Sequence, residues 1–299
     1  MAKKLALTRR EVLRMGAGMG LLAAGGGLLT PRVALAQATL ERAKRDKTIR
    51  VGFANESPYA FASPEGKLIG LMPDVIQYIM ADLGVPSMEG VLTEFGGLIP
   101  GLLAGRFDIL GAGLYVTPVR CQQVAPSDPQ YMITEAIAVK KGNPKNLHSY
   151  TDVAKDANAN IGTLAGSINA QYLADAGVPG SRVILLPDLP SAIAALQGGR
   201  VDGITMSIIS IQDILKKTND PNLEMASPFQ DPVDKTGKPI RGFGASWFRK
   251  QDSDLLAAYN AKLAAIKAGG KLLDLMAPYG FTKAQVPPLD VTAAQLCKA

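Results

Sequence analysis

Histidine is almost absent from this chain: the one copy, His148, lies in a polar stretch. A Ser-His-Asp relay, a multi-histidine metal site and a Cys-His pair beside Cys121 therefore each lack a part. No metal or other cofactor is called for. Cysteine is nearly as scarce, and Cys121 and Cys297 allow at most one bridge, which an oxidising compartment would permit but spacing alone does not establish. No Gly-Lys-Ser/Thr loop is present to cradle phosphate. After residue 37 no run approaches the ~20 apolar residues that a membrane helix needs. A basic surface is missing too. The formal charge is +6, but residues 1–36 hold six Lys/Arg against Glu11, so the body is close to neutral and offers nucleic acid no footprint.

The positive charge belongs to a leader. Thr8-Arg9-Arg10-Glu11-Val12-Leu13-Arg14 is followed by a Gly/Ala-rich apolar run, Met15 to Leu29, and then by Val33-Ala34-Leu35-Ala36-Gln37. A basic region, a short apolar region and a small-residue cleavage site make a secretory peptide. The paired arginines resemble the twin-arginine signal. Residues 1–36 are expected to be removed after Ala36, leaving a soluble periplasmic product. No cysteine follows the apolar run, so a lipid anchor is not indicated.

A chain of 299 residues exceeds one typical domain, and two α/β lobes are expected. Thr48-Ile49-Arg50-Val51-Gly52-Phe53 reads as a first strand and Ser63-Pro64-Glu65-Gly66 as a turn. Pro73 to Leu83 reads as a helix stopped by Gly84. An internal echo organises the rest: Leu98 to Asp108 aligns without gaps to Ala192 to Asp202, each a short helix, a glycine cap and the start of a strand. Each half then carries its own α/β unit, with ligand expected at the carboxyl ends of the strands. The polar turn at Val139 to Pro144 suggests one crossing between lobes, and Pro239 to Phe243 the return. This places lobe one at 47–140 and 241–299, and lobe two at 141–240. The segment Asp254 to Met276 is expected to be helical and to pack on lobe one.

Chemistry concentrates in Gly111 to Arg120. Thr117-Pro118 has the pattern of an N-cap followed by a first helical residue, which sets Arg120 at a helix start where a carboxylate can be gripped. Four further stretches extend this signal: Asn55-Glu56-Ser57-Pro58-Tyr59, Glu94-Phe95-Gly96-Gly97-Leu98-Ile99-Pro100-Gly101-Leu102, Ala104-Gly105-Arg106-Phe107-Asp108 and Val124-Ala125-Pro126-Ser127. In this order and spacing the chain resembles the polar-amino-acid family of ABC-transporter periplasmic binding proteins over most of residues 47–280. Val51 to Glu56 and Arg120 to Val124 resemble its ectoine- and hydroxyectoine-binding members.

The resemblance implies a type II periplasmic binding protein, with two α/β lobes joined by a two-stranded hinge. It further implies a monomer that closes on a small zwitterion and docks on membrane permease subunits. Carried over by matching position, the implied site is Glu56, Tyr59, Phe95, Tyr115 and Arg120 in lobe one, and Gly166 and Ser167 in lobe two. Three aromatic rings around one cleft suit a delocalised cation. Met206 can line the far wall. Amino-acid binders usually place an aspartate where this chain has Ser207, so lobe two is expected to lack an acid for a primary ammonium. That departure favours ectoine or hydroxyectoine over glutamine or arginine. An enzymatic reading stays open because cyclohexadienyl dehydratases share the fold, with Glu56 as a possible general acid.

Overall fold

The computed structural model describes residues 38–234 and 237–298, so the leader expected at 1–36 lies outside the described residues. Strand β1 (Thr48–Phe53) is followed by a short hairpin, β2 (Phe61–Ala62) and β3 (Leu68–Ile69), and by the helix Leu71–Asp82. That helix buries Val75, Ile76, Ile79 and Met80 at helical spacing, and the chain leaves it through Gly84 at φ +88°. β4 (Ser87–Leu92), the helix Leu98–Leu103, β5 (Ile109–Leu110) and β6 (Ala125–Pro126) complete the first half of lobe one.

The chain then crosses through β7 (Tyr131–Ile133) into β8 (Glu135–Lys140), which is a member of the second sheet. The crossing expected at Val139 to Pro144 is thereby corrected: it falls at Tyr131 to Thr134, because Ala136 to Val139 are buried in lobe two rather than lobe one. Lobe two continues with β9 (Ile161–Leu164), β10 (Val183–Leu186), β11 (Gly203–Ser207) and β12 (Leu223–Met225). The return runs through β13 (Gly242–Gly244), which pairs antiparallel with β7, and reaches β14 (Trp247–Phe248). These two adjacent strands form the hinge. Gly244 is required there, since a Cβ would lie 1.9 Å from the Tyr131 ring.

Two five-stranded mixed sheets result, in the orders β4-β1-β5-β14-β6 and β10-β9-β11-β8-β12. In each, the strands that lead to the cleft are parallel neighbours: β4, β1 and β5 in one, and β10, β9 and β11 in the other. The chain has the type II periplasmic binding protein fold.

The internal echo has a structural cause. Asp108 accepts the backbone N–H of Arg50 at 3.2 Å and returns its own N–H to the Arg50 carbonyl. Asp202 treats Asn160 in the same way, at 2.8 Å. Each aspartate thus clamps the entry of its lobe's central strand. Asp108 is further paired with Arg42, Arg50 and Arg249; burial pushes its pKa up, but the bonds from Arg50 and Arg42 outweigh this and hold it below the usual carboxylate range. The C-terminal helical segment is divided at Gly269-Gly270 into Ser253–Ala268 and Lys271–Met276, and both helices pack on Leu71–Asp82 of lobe one. Among the described residues no helix is long and apolar enough to cross a membrane.

Candidate ligand-binding site

Five of the six parallel strands that lead to the cleft deliver site residues at or beyond their carboxyl ends. β1 leads to Glu56 and Tyr59, β4 to Phe95, and β5 to Tyr115 and Arg120. β9 leads to Ser167 and Asn169, and β11 ends on Met206 and Ser207. All of these side chains line one cavity of about 380 Å³, counting the space between atoms out to its mouth, together with Gly113, Thr163, Leu164 and Ile168. Of the positions expected from sequence, only Gly166 stays off the lining. It serves instead as a closure point.

At Gly166 the lobes meet backbone to backbone. With φ +82° and an ideal Cβ only 2.9 Å from the Gly96 Cα, it has no room for a side chain. Its carbonyl accepts from Arg120 Nη2 at 2.9 Å. A chain of hydroxyl hydrogen bonds also joins the lobes, crossing between them at its two ends. Tyr59 Oη donates to Ser207 Oγ at 2.9 Å, Ser207 donates to Ser210 Oγ at 3.0 Å, and Ser210 donates to Glu56 Oε1 at 2.8 Å. Nearer the surface, Lys217 of lobe two reaches Ser57 and lies 4.5 Å over the Phe61 ring of lobe one. The cleft is closed.

Arg120 sits as the sequence suggested, with Thr117 capping its backbone N–H at 3.3 Å and Pro118 at the first helical position. The helix has only four residues, so its grip on an anion rests on the guanidinium rather than on a helix dipole. Arg120 is buried, and its nitrogens donate to two carbonyls, Tyr115 O and Gly166 O. No carboxylate among the described residues pairs with it, and desolvation pulls its pKa down to about 10. A buried cation without a counter-charge is costly unless an anion completes it.

Opposite in character are the acids. Glu56 is buried with a single hydroxyl donor, and desolvation, with the charge of Glu135, lifts its pKa to about 7. Tyr59, Phe95 and Tyr115 supply the ring faces. Tyr131 supports them from below, 5.0 Å from the Tyr59 ring centroid, with its hydroxyl donating to Gly113 O.

Two expectations change. First, lobe two does hold an acid near the site. Glu135 stands directly opposite Ser207 in the β8/β11 ladder and is buried, with its pKa lifted to about 7 by desolvation. Residues directly opposite in an antiparallel pair share a face, so Glu135 lies beside the place where Ser207 stands. It is screened from the cavity lining by Asn169, which donates to it at 2.6 Å. The only hint in the sequence was an acid at the head of a strand whose middle, Ala136-Ile137-Ala138-Val139, is apolar. Second, Ser207 is more than a missing acid: its hydroxyl links Tyr59 to Ser210 and so to Glu56. Asn169 and Ser210 were also missed, for they carry no motif of their own.

Cys121 and Cys297 form a disulfide with Cα atoms 5.7 Å apart, so the bond open in the sequence is made. It anchors the C-terminal segment beside Arg120. His148 is remote from the cavity lining and donates through Nδ1 to Pro228 O at 2.8 Å.

A hinged pair of lobes closed over a buried cation, buried acid and ring faces defines a solute trap. The chain belongs to the bacterial extracellular solute-binding proteins, family 3, whose model matches residues 49–283. It is the solute-binding component of an ABC importer and a transport protein rather than an enzyme. Among curated relatives it is 35% identical to the probable amino-acid ABC transporter periplasmic-binding protein y4tE of Sinorhizobium fredii, over 87% of this chain and 86% of that one. It is 26% identical to the L-arginine-binding protein of Pseudomonas aeruginosa, over 83% and 93% of the two chains. Among solved structures it is similar to EhuB in complex with hydroxyectoine, with a TM-score of 0.79 and 38% identity over 86% of this chain and 97% of that one.

Proposed function

We propose that this protein binds ectoine or hydroxyectoine in the interlobe cleft and delivers it to the permease subunits of its importer. The observation that carries this reading is the pairing of Arg120, a buried guanidinium with no carboxylate partner, with an acid and three rings across one small cavity. The ligand carboxylate meets Arg120, where a guanidinium can form two parallel charge-assisted hydrogen bonds. The cyclic amidinium, whose charge is spread over the ring, lies among Tyr59, Phe95 and Tyr115. Each cation–π contact there is worth about 0.5–2 kcal/mol, more as water is excluded. Glu56 takes the ring N–H groups, and Ser167 offers its hydroxyl from lobe two. Ligand contacts to both lobes favour the closed form by hinge motion. The proposed export route is the twin-arginine one.

A second reading, a polar amino acid such as glutamine or arginine, draws on Glu135, an acid in lobe two that could answer a primary ammonium, and on the relatives named for amino acids. One fact counts against it: Glu135 is not among the residues that line the cavity. Isothermal calorimetry against ectoine, hydroxyectoine and a panel of amino acids tests the order. Tight binding of ectoines with weak response to amino acids is expected; the reverse pattern overturns the proposal.

A further inference from the structure

Asn169 lines the cavity, yet both hydrogens of its amide point away from it. Nδ2 donates to Glu135 Oε2 at 2.6 Å and to Tyr150 Oη at 3.1 Å. A primary amide nitrogen has two hydrogens, and these two bonds use them. The directions are fixed from behind. Thr205 gives its hydroxyl hydrogen to Ala136 O at 3.0 Å, so Tyr150, 2.6 Å from Thr205 Oγ1, donates to Thr205 and can only accept from Asn169. Above its raised pKa of about 7, Glu135 is a carboxylate and can only accept as well. A flipped amide would set its oxygen against two acceptors. The remaining atom, Oδ1, takes no hydrogen bond from the described residues and is not among the fully buried orphans. It is the polar atom that Asn169 presents to the cavity.

From this geometry we infer that Glu135 and Tyr150 are positioning residues that hold the Asn169 amide so that lobe two offers the ligand a hydrogen-bond acceptor. The inference rests on the cleft being the ligand site and sharpens the ligand's chemistry. The face turned to lobe two must carry an N–H or O–H donor, and a ligand with only acceptors there is rejected because it leaves the amide oxygen and its own group facing each other. Donating both N–H bonds to a carboxylate and a phenol polarises the amide, so its oxygen is a stronger acceptor than an isolated amide's. Lobe two thus meets the ligand cation with a neutral group backed by a buried acid, where the amino-acid binders set the acid itself at the position of Ser207.

The test uses selective 15N labelling of asparagine with calorimetry on ectoine. In the native protein without ligand, the Asn169 side-chain amide protons are expected far downfield and slow to exchange. In the double variant Glu135→Met with Tyr150→Phe, that signature is lost and ectoine binds at least tenfold more weakly. In Glu135→Gln, whose carbonyl can still accept from Asn169, the signature persists and affinity stays within about threefold. Should the double variant fail to fold, Glu135→Met alone is read by the same two measurements. A double variant that binds like the native protein, or a Glu135→Gln variant as weak as the double, overturns the inference. If the native protein ignores ectoine while the amide signature behaves as described, the proposed ligand is lost and the amide's fixed orientation survives.

Discussion

Replacing Arg120 by alanine separates folding from binding, because the guanidinium does different work in each. In the protein it donates to Tyr115 O at 2.8 Å and to Gly166 O at 2.9 Å. Each such bond contributes about 1 kcal/mol net. Against these stands the cost of burying a cation with no counter-charge, enough to pull its pKa to about 10. The terms oppose, and the folding free energy is expected to change by less than about 2 kcal/mol. Binding has no such offset. Truncating one partner of a buried, hydrogen-bonded charge pair costs about 2–5 kcal/mol. At about 1.4 kcal/mol per factor of ten, affinity falls between roughly 30-fold and several thousand-fold. Arg120→Lys keeps the charge but not the planar fork, so it should fall between the two. Calorimetry gives the affinity and a thermal melt confirms the fold. An alanine variant that melts normally and binds within threefold of the native protein would remove Arg120 from the site and, with it, the placement of the carboxylate.

The acids give a pH signature. Glu56 and Glu135 have folded pKa values raised to about 7, so their contribution to stability is full below about pH 4.5 and is lost as pH rises through 7. Binding runs the other way: a cationic ligand favours ionised Glu56, so ectoine affinity should drop about tenfold from pH 8 to pH 6 with protons released on binding. Calorimetry in buffers of different ionisation heat checks this, and a flat profile refutes it. Cys297→Ser opens a link spanning 176 residues and should cost about 3–5 kcal/mol of unfolding free energy in a denaturant titration; an unchanged midpoint contradicts it. Gly244→Ala drives a methyl into the Tyr131 ring and should destabilise by about 1–3 kcal/mol or more through the hinge, which a thermal melt will register.

Much of the site was legible through the family resemblance, because the matching positions follow strand ends. Glu56, Tyr59, Phe95, Tyr115 and Arg120 each stand a few positions after a strand of lobe one, and the turn chemistry of Thr117-Pro118 marked the last of them. The echo between Leu98 to Asp108 and Ala192 to Asp202 gave the doubled architecture, since each aspartate makes a backbone clamp that sequence spacing preserves. The misplaced crossing has an equally local reason. A polar turn after Lys140 is visible in composition, whereas the passage at Tyr131 to Thr134 alternates buried Tyr131 and Ile133 with half-buried Met132 and Thr134 and looks like any strand.

Composition and spacing therefore determined the neutral body and the doubled α/β plan, because strand, turn and cap preferences act over a few residues, while the family resemblance implied the class of fold and the lobe-one half of the cleft. Only the tertiary structure decided which distant groups face one another. The pairing of Ser207 with Tyr59, the Cys121–Cys297 bond and the acid behind Asn169 depend on sheet register and lobe closure, which bring together positions as many as 176 residues apart. No local pattern records such distances. They are set by how two buried sheets pack and hinge.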